Sequence, residues 1–318
     1  MSHFNLTDRK MLAEYLGKIP YREIAKLVEK SISSISDEVK RNGGLNKYDP
    51  HQAEKRAQKI KLEKTKRTKL EISPGLRAYV IQKLKDDWSP EQISETLCQK
   101  ARKTVLCHET IYKFIYSEEG RKLKLWQHLR HKKRPERVLH GTRKAQKNKS
   151  KIPQREHISL RSRAATERSE SGHFEADLMI FSNTGIVLAV FVDRCTRKTW
   201  AYFNPNKTAS AMLDTIREFV CDAGVANVKS ISFDNGTENF YHNIVRDEFG
   251  TFRTYFCDPY CSWQKGTVEN TNKLLRQYFP RKCSPNILIN ENLRNALHKL
   301  NNRPRKCLNF KTPNFCSV

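Results

Sequence analysis

The sequence predicts a mixed α/β domain, a sheet flanked by helices, preceded by all-α helix-turn-helix regions. Three observations predict it. Apolar residues recur at helical spacing through the first part of the chain, runs of β-branched and aromatic residues begin after Gly172, and the charge is split unevenly between the two parts. Of the formal net charge of +26 on 318 residues, residues 1–172 hold 41 Lys+Arg against 21 Asp+Glu, net +20, and residues 173–318 hold 19 against 13, net +6. So large an excess disfavours compaction unless a polyanion supplies counter-charge, which makes nucleic acid the expected partner and an ordinary metabolic enzyme a poor fit. With 37% hydrophobic residues, 15 Phe, 11 Tyr and 4 Trp, the chain is not a disordered basic tail. No window approaches the 18 or so apolar residues of a membrane span, and Met1 to Lys10 lacks a signal-like apolar stretch, so a cytoplasmic, nucleoid-associated protein without a membrane partner is expected. The nine cysteines are odd in number and scattered, which fits reduced thiols. Neither Cys98 with Cys107-His108 nor Cys257 with Cys261 has the paired spacing of a structural zinc site.

The first region, residues 1–46, reads as three short helices. Thr7 is the expected cap of a helix to about Leu16; a second follows Pro20 with Ile24, Leu27 and Val28 on one face; a turn at Glu29 to Ser31 leads to a third with the stripe Ile32, Ile35 and Val39. The other face of the third helix carries Ser33, Ser34, Asp37, Lys40 and Arg41, short polar groups and cations suited to base edges and phosphates. Residues 47–69 hold Lys55, Arg56, Lys59, Lys61, Lys64, Lys66, Arg67 and Lys69, with Glu63 the only acid from Lys55 on, and read as a basic linker or exposed helix. A second helix-turn-helix-like region spans 70–129. There Leu76, Val80 and Leu84 recur every four residues, and Ser89-Pro90-Glu91-Gln92 orders a cap, a first-turn proline and a capping-box glutamine. A helix from about His108 to Tyr116 turns Ile111 and Ile115 inward and Glu109, Thr110 and Lys113 outward, a DNA-reading face or a scaffold bundle. Residues 130–172 begin with a strongly basic run to Arg155 whose single acid is Glu136, expected to be an arm that folds on DNA.

The region 173–318 opens with strands. Phe174 to Phe181, Gly185 to Arg194 and Lys198 to Asn204 are expected strands, the first two joined by a turn at Asn183-Thr184-Gly185. A helix over Ala209 to Ala223, a strand Ser230 to Asp234, a helix near Tyr241 to Phe249, a strand near Thr254 to Phe256 and a helix from Gly266 complete the reading. Asp177 falls within an apolar strand, Asp234 ends the fourth, and Glu269 lies on the last helix in a stripe with Lys265, Lys273 and Arg276, expected to face away from the core and hold the DNA backbone. A buried unpaired carboxylate is costly, whereas divalent metal offsets several converging acids. Two Mg²⁺ ions so held, with Mn²⁺ able to substitute, can activate a water or 3′-hydroxyl and stabilise the leaving oxygen of a phosphodiester. The bland alternative for Glu269 is an i,i+4 pair with Lys273. Glu175, on the same strand face as Asp177, and Asp193 and Glu238 are further candidate acids.

These same residues carry a family resemblance over nearly the whole chain. The segments Gly172-His173-Phe174-Glu175-Ala176-Asp177, Phe233-Asp234-Asn235-Gly236-Thr237-Glu238 and Asp258 to Asn272 resemble the catalytic motifs of bacterial insertion-sequence transposases of the IS30 family. Leu275 to Pro280 and Leu300-Asn301-Asn302-Arg303-Pro304-Arg305-Lys306-Cys307-Leu308 are similar to its C-terminal signature, and Trp88 to Ile93 and His108 to Tyr112 to its second DNA-binding region. The resemblance implies an RNase H-like integrase/transposase core with an Asp177, Asp234 and Glu269 triad. It also implies N-terminal binding to the element's terminal inverted repeats, homo-oligomers on double-stranded DNA, and Mg²⁺-dependent cleavage followed by strand transfer into target DNA. The chain departs from the family pattern at Phe174 and Ala176, at Val268, at Lys273, at Asp37 and from Thr312 onward. Trp263 is a candidate to stack on an unpaired base. The rival readings are a non-catalytic DNA-binding repressor from a decayed element and a cellular RNase H-like nuclease.

Overall fold

The structure, a computed structural model, describes residues 4–63, 68–130, 152–182, 184–259 and 261–317. Most of the basic run over 130–155, and Asn183 of the first expected strand turn, lie outside the described residues. The chain divides into two compact units, 1–73 and 74–318. The region expected over 70–129 is thus split, with residues from Pro74 on belonging to the same unit as the sheet.

The first unit is built on α1 (Leu6–Tyr15), α2 (Tyr21–Leu27), α3 (Ile32–Arg41), α4 (Pro50–Glu63) and the short α5 (Lys69–Ile72). Asn5, not Thr7, caps α1, in a reciprocal box with Asp8 that satisfies two otherwise unpaired N–H groups. Leu12, Ile24, Val28, Ile35 and Val39 form the core. Ile32 stays outside at 50% exposure, because a helical side chain leans over the turn before it and Ile32 opens α3. The described part of the basic segment is helical over Pro50–Glu63, and Lys64, Lys66 and Arg67 lie outside the described residues. Ala53 of α4 is buried, and Arg9 of α1 makes ion pairs to both Glu38 of α3 and Glu54 of α4.

The second unit begins with α6 (Pro74–Lys85), α7 (Pro90–Ala101), α8 (His108–Ile115) and α9 (Glu118–Lys122). The expected Ser89–Gln92 capping box starts α7. Two of the motifs named above then prove to be partners, since Gln92 donates to the carbonyl of Pro304 at 2.6 Å and accepts from Arg303 Nε at 3.0 Å. Buried Asp87 binds His128, Lys299 and the hydroxyl of Tyr278 at 3.1–3.2 Å. One face of this helical region therefore serves as scaffold for the sheet domain, while Lys113 on α8 stays exposed.

The sheet comprises β1 (Glu156–His157), β2 (His173–Ile180), β3 (Val187–Asp193), β4 (Thr199–Asn204), β5 (Ser230–Phe233) and β6 (Arg253–Phe256), in the order β1-β6-β5-β2-β3-β4. The pairs β2–β3 and β3–β4 are antiparallel, whereas β2–β5, β5–β6 and β1–β6 are parallel. Three meandering strands followed by two parallel ones on the other side of the first is the RNase H-like arrangement. The small strand β1 and the helix α10 (Arg163–Glu167) fall where the sequence reads as linker. Helices α11 (Ala209–Ala223) and α12 (His242–Phe249) pack on one face through Phe174, Phe191, Phe219 and Val245. On the other face α13 (Gly266–Leu275) and α14 (Asn290–Asn301) pack through Val190, Val192, Val268, Leu275 and Leu300. Alternation along β2 puts Phe174 and Ala176 toward α11 and Glu175 and Asp177 toward α13.

Candidate active site

Register brings two of the expected acids together. The parallel β2–β5 ladder ends with Glu175 opposite Ser232, two residues before Asp177 and Asp234, so both acids come just past the last paired residues of neighbouring strands. The buried Lys265 ammonium is shared by both carboxylates, 3.1 Å from Asp177 Oδ1 and 3.9 Å from Asp234 Oδ2, and also donates to the carbonyl of Ala176 at 2.9 Å. Burial, reinforced by the charge of Asp234, raises the pKa of Asp177 although Lys265 opposes the shift. Burial alone would lower the pKa of Lys265, but the two aspartates outweigh it and hold the ammonium above its ordinary value. Two amides orient the acids: Asn272 donates to Asp177 Oδ2 at 2.7 Å and Asn239 to Asp234 Oδ1 at 3.0 Å.

Glu269 is not in contact with that pair. Its carboxylate meets Lys273 at 2.8 Å, the i,i+4 pair, half exposed. Its position is nonetheless informative, since it lies four residues after Lys265 and three before Asn272, the two residues beside α13 that touch Asp177. Glu269 itself is exposed, while Val268, Thr271, Leu274 and Leu275 take the buried side of α13. The expectation that this stripe faces away from the core holds for Glu269 and Lys273, both exposed, and fails at Lys265, which is buried. Lys265 is 7% exposed and held by Asp177 and Ala176, so it does not reach a DNA backbone, and Arg276 donates to the carbonyl of Ile180 at 2.9 Å beside the Phe181 ring. Lys273 remains at the surface.

The three further candidate acids each have partners within the protein. Glu175 is fully buried; one oxygen pairs with Arg194 and the other accepts the N–H groups of Thr267 and Val268 at 2.8 and 2.9 Å. It therefore ties the first turn of α13, where a carboxylate is favoured by the helix dipole, to the strand that carries Asp177. Asp193 accepts from the backbone of Gly172, Cys195 and Thr196 and shapes the β3–β4 turn. Glu238 is buried against Lys207 at 3.3 Å and folds over Gly236, where a Cβ would lie 2.4 Å from its carboxyl group. Sequence reasoning missed Arg194, Asn239 and Asn272, whose roles depend on strands meeting a helix distant in sequence. It also missed His157, which with Gln264 brackets Asp258 at 2.7–2.8 Å and lowers that acid's pKa by hydrogen bonding.

In the helical regions, Lys40 and Arg41 are exposed at the end of α3. The hydroxyls of Ser33 and Ser34 bond to that of Ser31, the cap of α3, at 3.0 and 2.7 Å. Thr110 is half-buried on α8. All nine cysteines are free thiols, and burial pushes that of Cys257 up to about 11. Among the described residues no group of three or more His, Cys, Asp or Glu stands together to hold a metal ion. What converges is Asp177 and Asp234 around a cation, at present an ammonium, and a donor set of oxygens suits a hard divalent ion.

No family model matches the chain. It is 35% identical over 322 residues to the transposase InsI for insertion sequence element IS30A of Escherichia coli, covering 98% of this chain and 82% of that protein. It is 30% identical to the transposase for IS4351 of Bacteroides fragilis, covering 99% and 95%, and 30% identical to the transposase for IS1086 of Cupriavidus metallidurans, covering 93% and 88%. Among solved structures, the catalytic core domain of BIV integrase matches at 20% identity with a TM-score of 0.38, over 46% of this chain and 94% of that one.

Proposed function

This chain belongs to the IS30 family of transposases, and we propose that Asp177, Asp234 and Glu269 are the carboxylates with which it cuts DNA and joins the cut end to a target. The observation that carries the reading is the convergence of Asp177, on β2, and Asp234, just after the parallel β5, around one cationic group. The three acids would hold divalent metal, Mg²⁺ or Mn²⁺, which when bound activates the attacking water or 3′-hydroxyl and stabilises the leaving oxygen. The chain's own residues do the rest. Asn272 and Asn239 fix the carboxylate rotamers, Glu175 fixes the start of α13, and Lys265 offsets the mutual repulsion of the two aspartates in the metal-free chain.

DNA is held elsewhere in this reading. Lys40 and Arg41, with Ser33 and Ser34, contact the terminal inverted repeats from α3; Thr110 and Lys113 contact them from α8; and Lys273 contacts the backbone beside the site, in a homo-oligomer assembled on the DNA. Exposure of Lys40, Arg41, Lys113 and Lys273 supports these assignments. A strand-transfer assay with labelled repeat ends, target plasmid and Mg²⁺ tests the whole reading. Joined products specific to repeat ends are expected; a gel shift without cutting would identify a repressor, and equal cutting of random duplex a nuclease.

A further inference from the structure

A cavity of about 420 Å³ is lined by Arg161, Thr166, Arg168, Arg194, Trp263 and Gln264, among others. Two of its lining residues adjoin residues of the carboxylate site. Gln264 precedes Lys265, which touches Asp177, and Arg194 pairs with Glu175, two residues before Asp177 on β2. Three guanidinium groups line this cavity, and the acid paired with Arg194, Glu175, is already occupied by that arginine and by the first turn of α13. Arg161 has Nε and Nη1 shielded from solvent with no acceptor among the described residues, a costly state for a charged donor. Burial, together with repulsion from Arg161, Arg168 and Arg197, pushes Arg194 down to about 10 despite Glu175. An anion is what this cluster lacks. At its rim Trp263 is 75% exposed, a large apolar ring left in water beside a cationic hollow.

Resting on the reading of the carboxylates as a DNA-cutting site, we propose that this cavity receives one unpaired nucleotide of the DNA strand, its phosphate on Arg161 and Arg168 and its base stacked on Trp263. A guanidinium fork matches a phosphate bidentately, and every base offers a face for an indole to cover, so the pocket would be tolerant of sequence. Its volume suits a single nucleotide and is too small for a paired duplex.

The test uses the full chain, without divalent metal so that no cutting intervenes. Fluorescence anisotropy compares a blunt DNA duplex with the same duplex carrying a three-nucleotide single-stranded overhang at constant salt. The overhang is expected to bind about tenfold more tightly, the scale of one base–aromatic stack. Trp263→Ala removes a surface side chain without disturbing the core and should abolish that preference; Trp263→Phe should keep most of it. Arg168→Asn, which tolerates the left-handed backbone at φ 61, should weaken it. Equal binding of both duplexes by the wild type, or a preference that survives Trp263→Ala, would overturn the proposal. The two readings fail separately: a chain that cuts repeat ends but shows no overhang preference lacks the pocket's role, and one that shows the preference but never cuts lacks the catalytic role.

Discussion

Lys265 Nζ lies 3.1 Å from Asp177 Oδ1, so the acid of the central strand is neutralised from the residue that opens α13. Three elements thereby meet at one cation, since Asp234 at the end of β5 lies 3.9 Å from the same nitrogen. Lys265→Met is expected to destabilise the metal-free chain by about 1–2 kcal/mol, less than for a fully buried pair because the aspartates are 31% and 49% exposed. Added Mg²⁺ should then raise the melting temperature of the variant more than that of the wild type. An equal Mg²⁺ shift in both would show that the ammonium and the metal do not answer the same charges.

Glu175 is expected to matter for architecture and not for metal. Glu175→Gln leaves Arg194 buried without its counter-charge and weakens the anchor of α13, at a cost of about 3–5 kcal/mol in urea unfolding. A change below about 1 kcal/mol would mean that the α13 anchor lies elsewhere.

How much of this could be read from the sequence follows from the range of each interaction. The strands β2 to β6 and the capped start of α7 are legible because runs of β-branched and aromatic residues and the Ser89-Pro90-Glu91-Gln92 order are local signals. Asp177 stood out because a carboxylate in an apolar strand is conspicuous. The outward direction of Glu269 and Lys273 is legible in the helical wheel, whereas the burial of Lys265 is not, because the wheel carries no information on the acid of β2 that meets it. Glu175 looked like another metal ligand because its partner Arg194 and the N–H groups of Thr267 and Val268 come from later in the chain. The strand β1 was hidden by its two-residue length at the foot of a basic run, and α14 was not anticipated.

Buried histidines set an acid limit on stability. His242 donates from Nε2 to the Pro153 carbonyl at 2.8 Å, and its Nδ1 shares a hydrogen bond with the Thr254 hydroxyl at 2.8 Å. Burial lowers the pKa values of both His242 and His173 below the ordinary 6.5. A histidine that binds its proton more weakly when folded is protonated first in the unfolded chain, so stability is full above about pH 6.5 and falls as pH drops below it, by up to about 1.4 kcal/mol per pH unit for each ring. Urea unfolding at pH 5.5 and 7.5 should show the loss, and His242→Gln should reduce its slope; a pH-independent midpoint would contradict the assignment.

DNA affinity should fall steeply with salt, since the charge excess before His173 is +20. Lys40→Ala and Arg41→Ala should each reduce the slope of log K against log salt by about 0.9 if each meets a phosphate. Unchanged slopes in both variants would remove α3 from the DNA interface.

The central claim is that Asp177, Asp234 and Glu269 act together in cutting. The most direct measurement is Mg²⁺-dependent nicking of repeat-end DNA by Asp177→Asn, Asp234→Asn and Glu269→Gln, with binding to the same DNA measured alongside. Each variant is expected to bind normally and to nick at background, Glu269→Gln included although its carboxylate meets Lys273 in the metal-free chain. Nicking at the wild-type rate by any one of the three would contradict the triad.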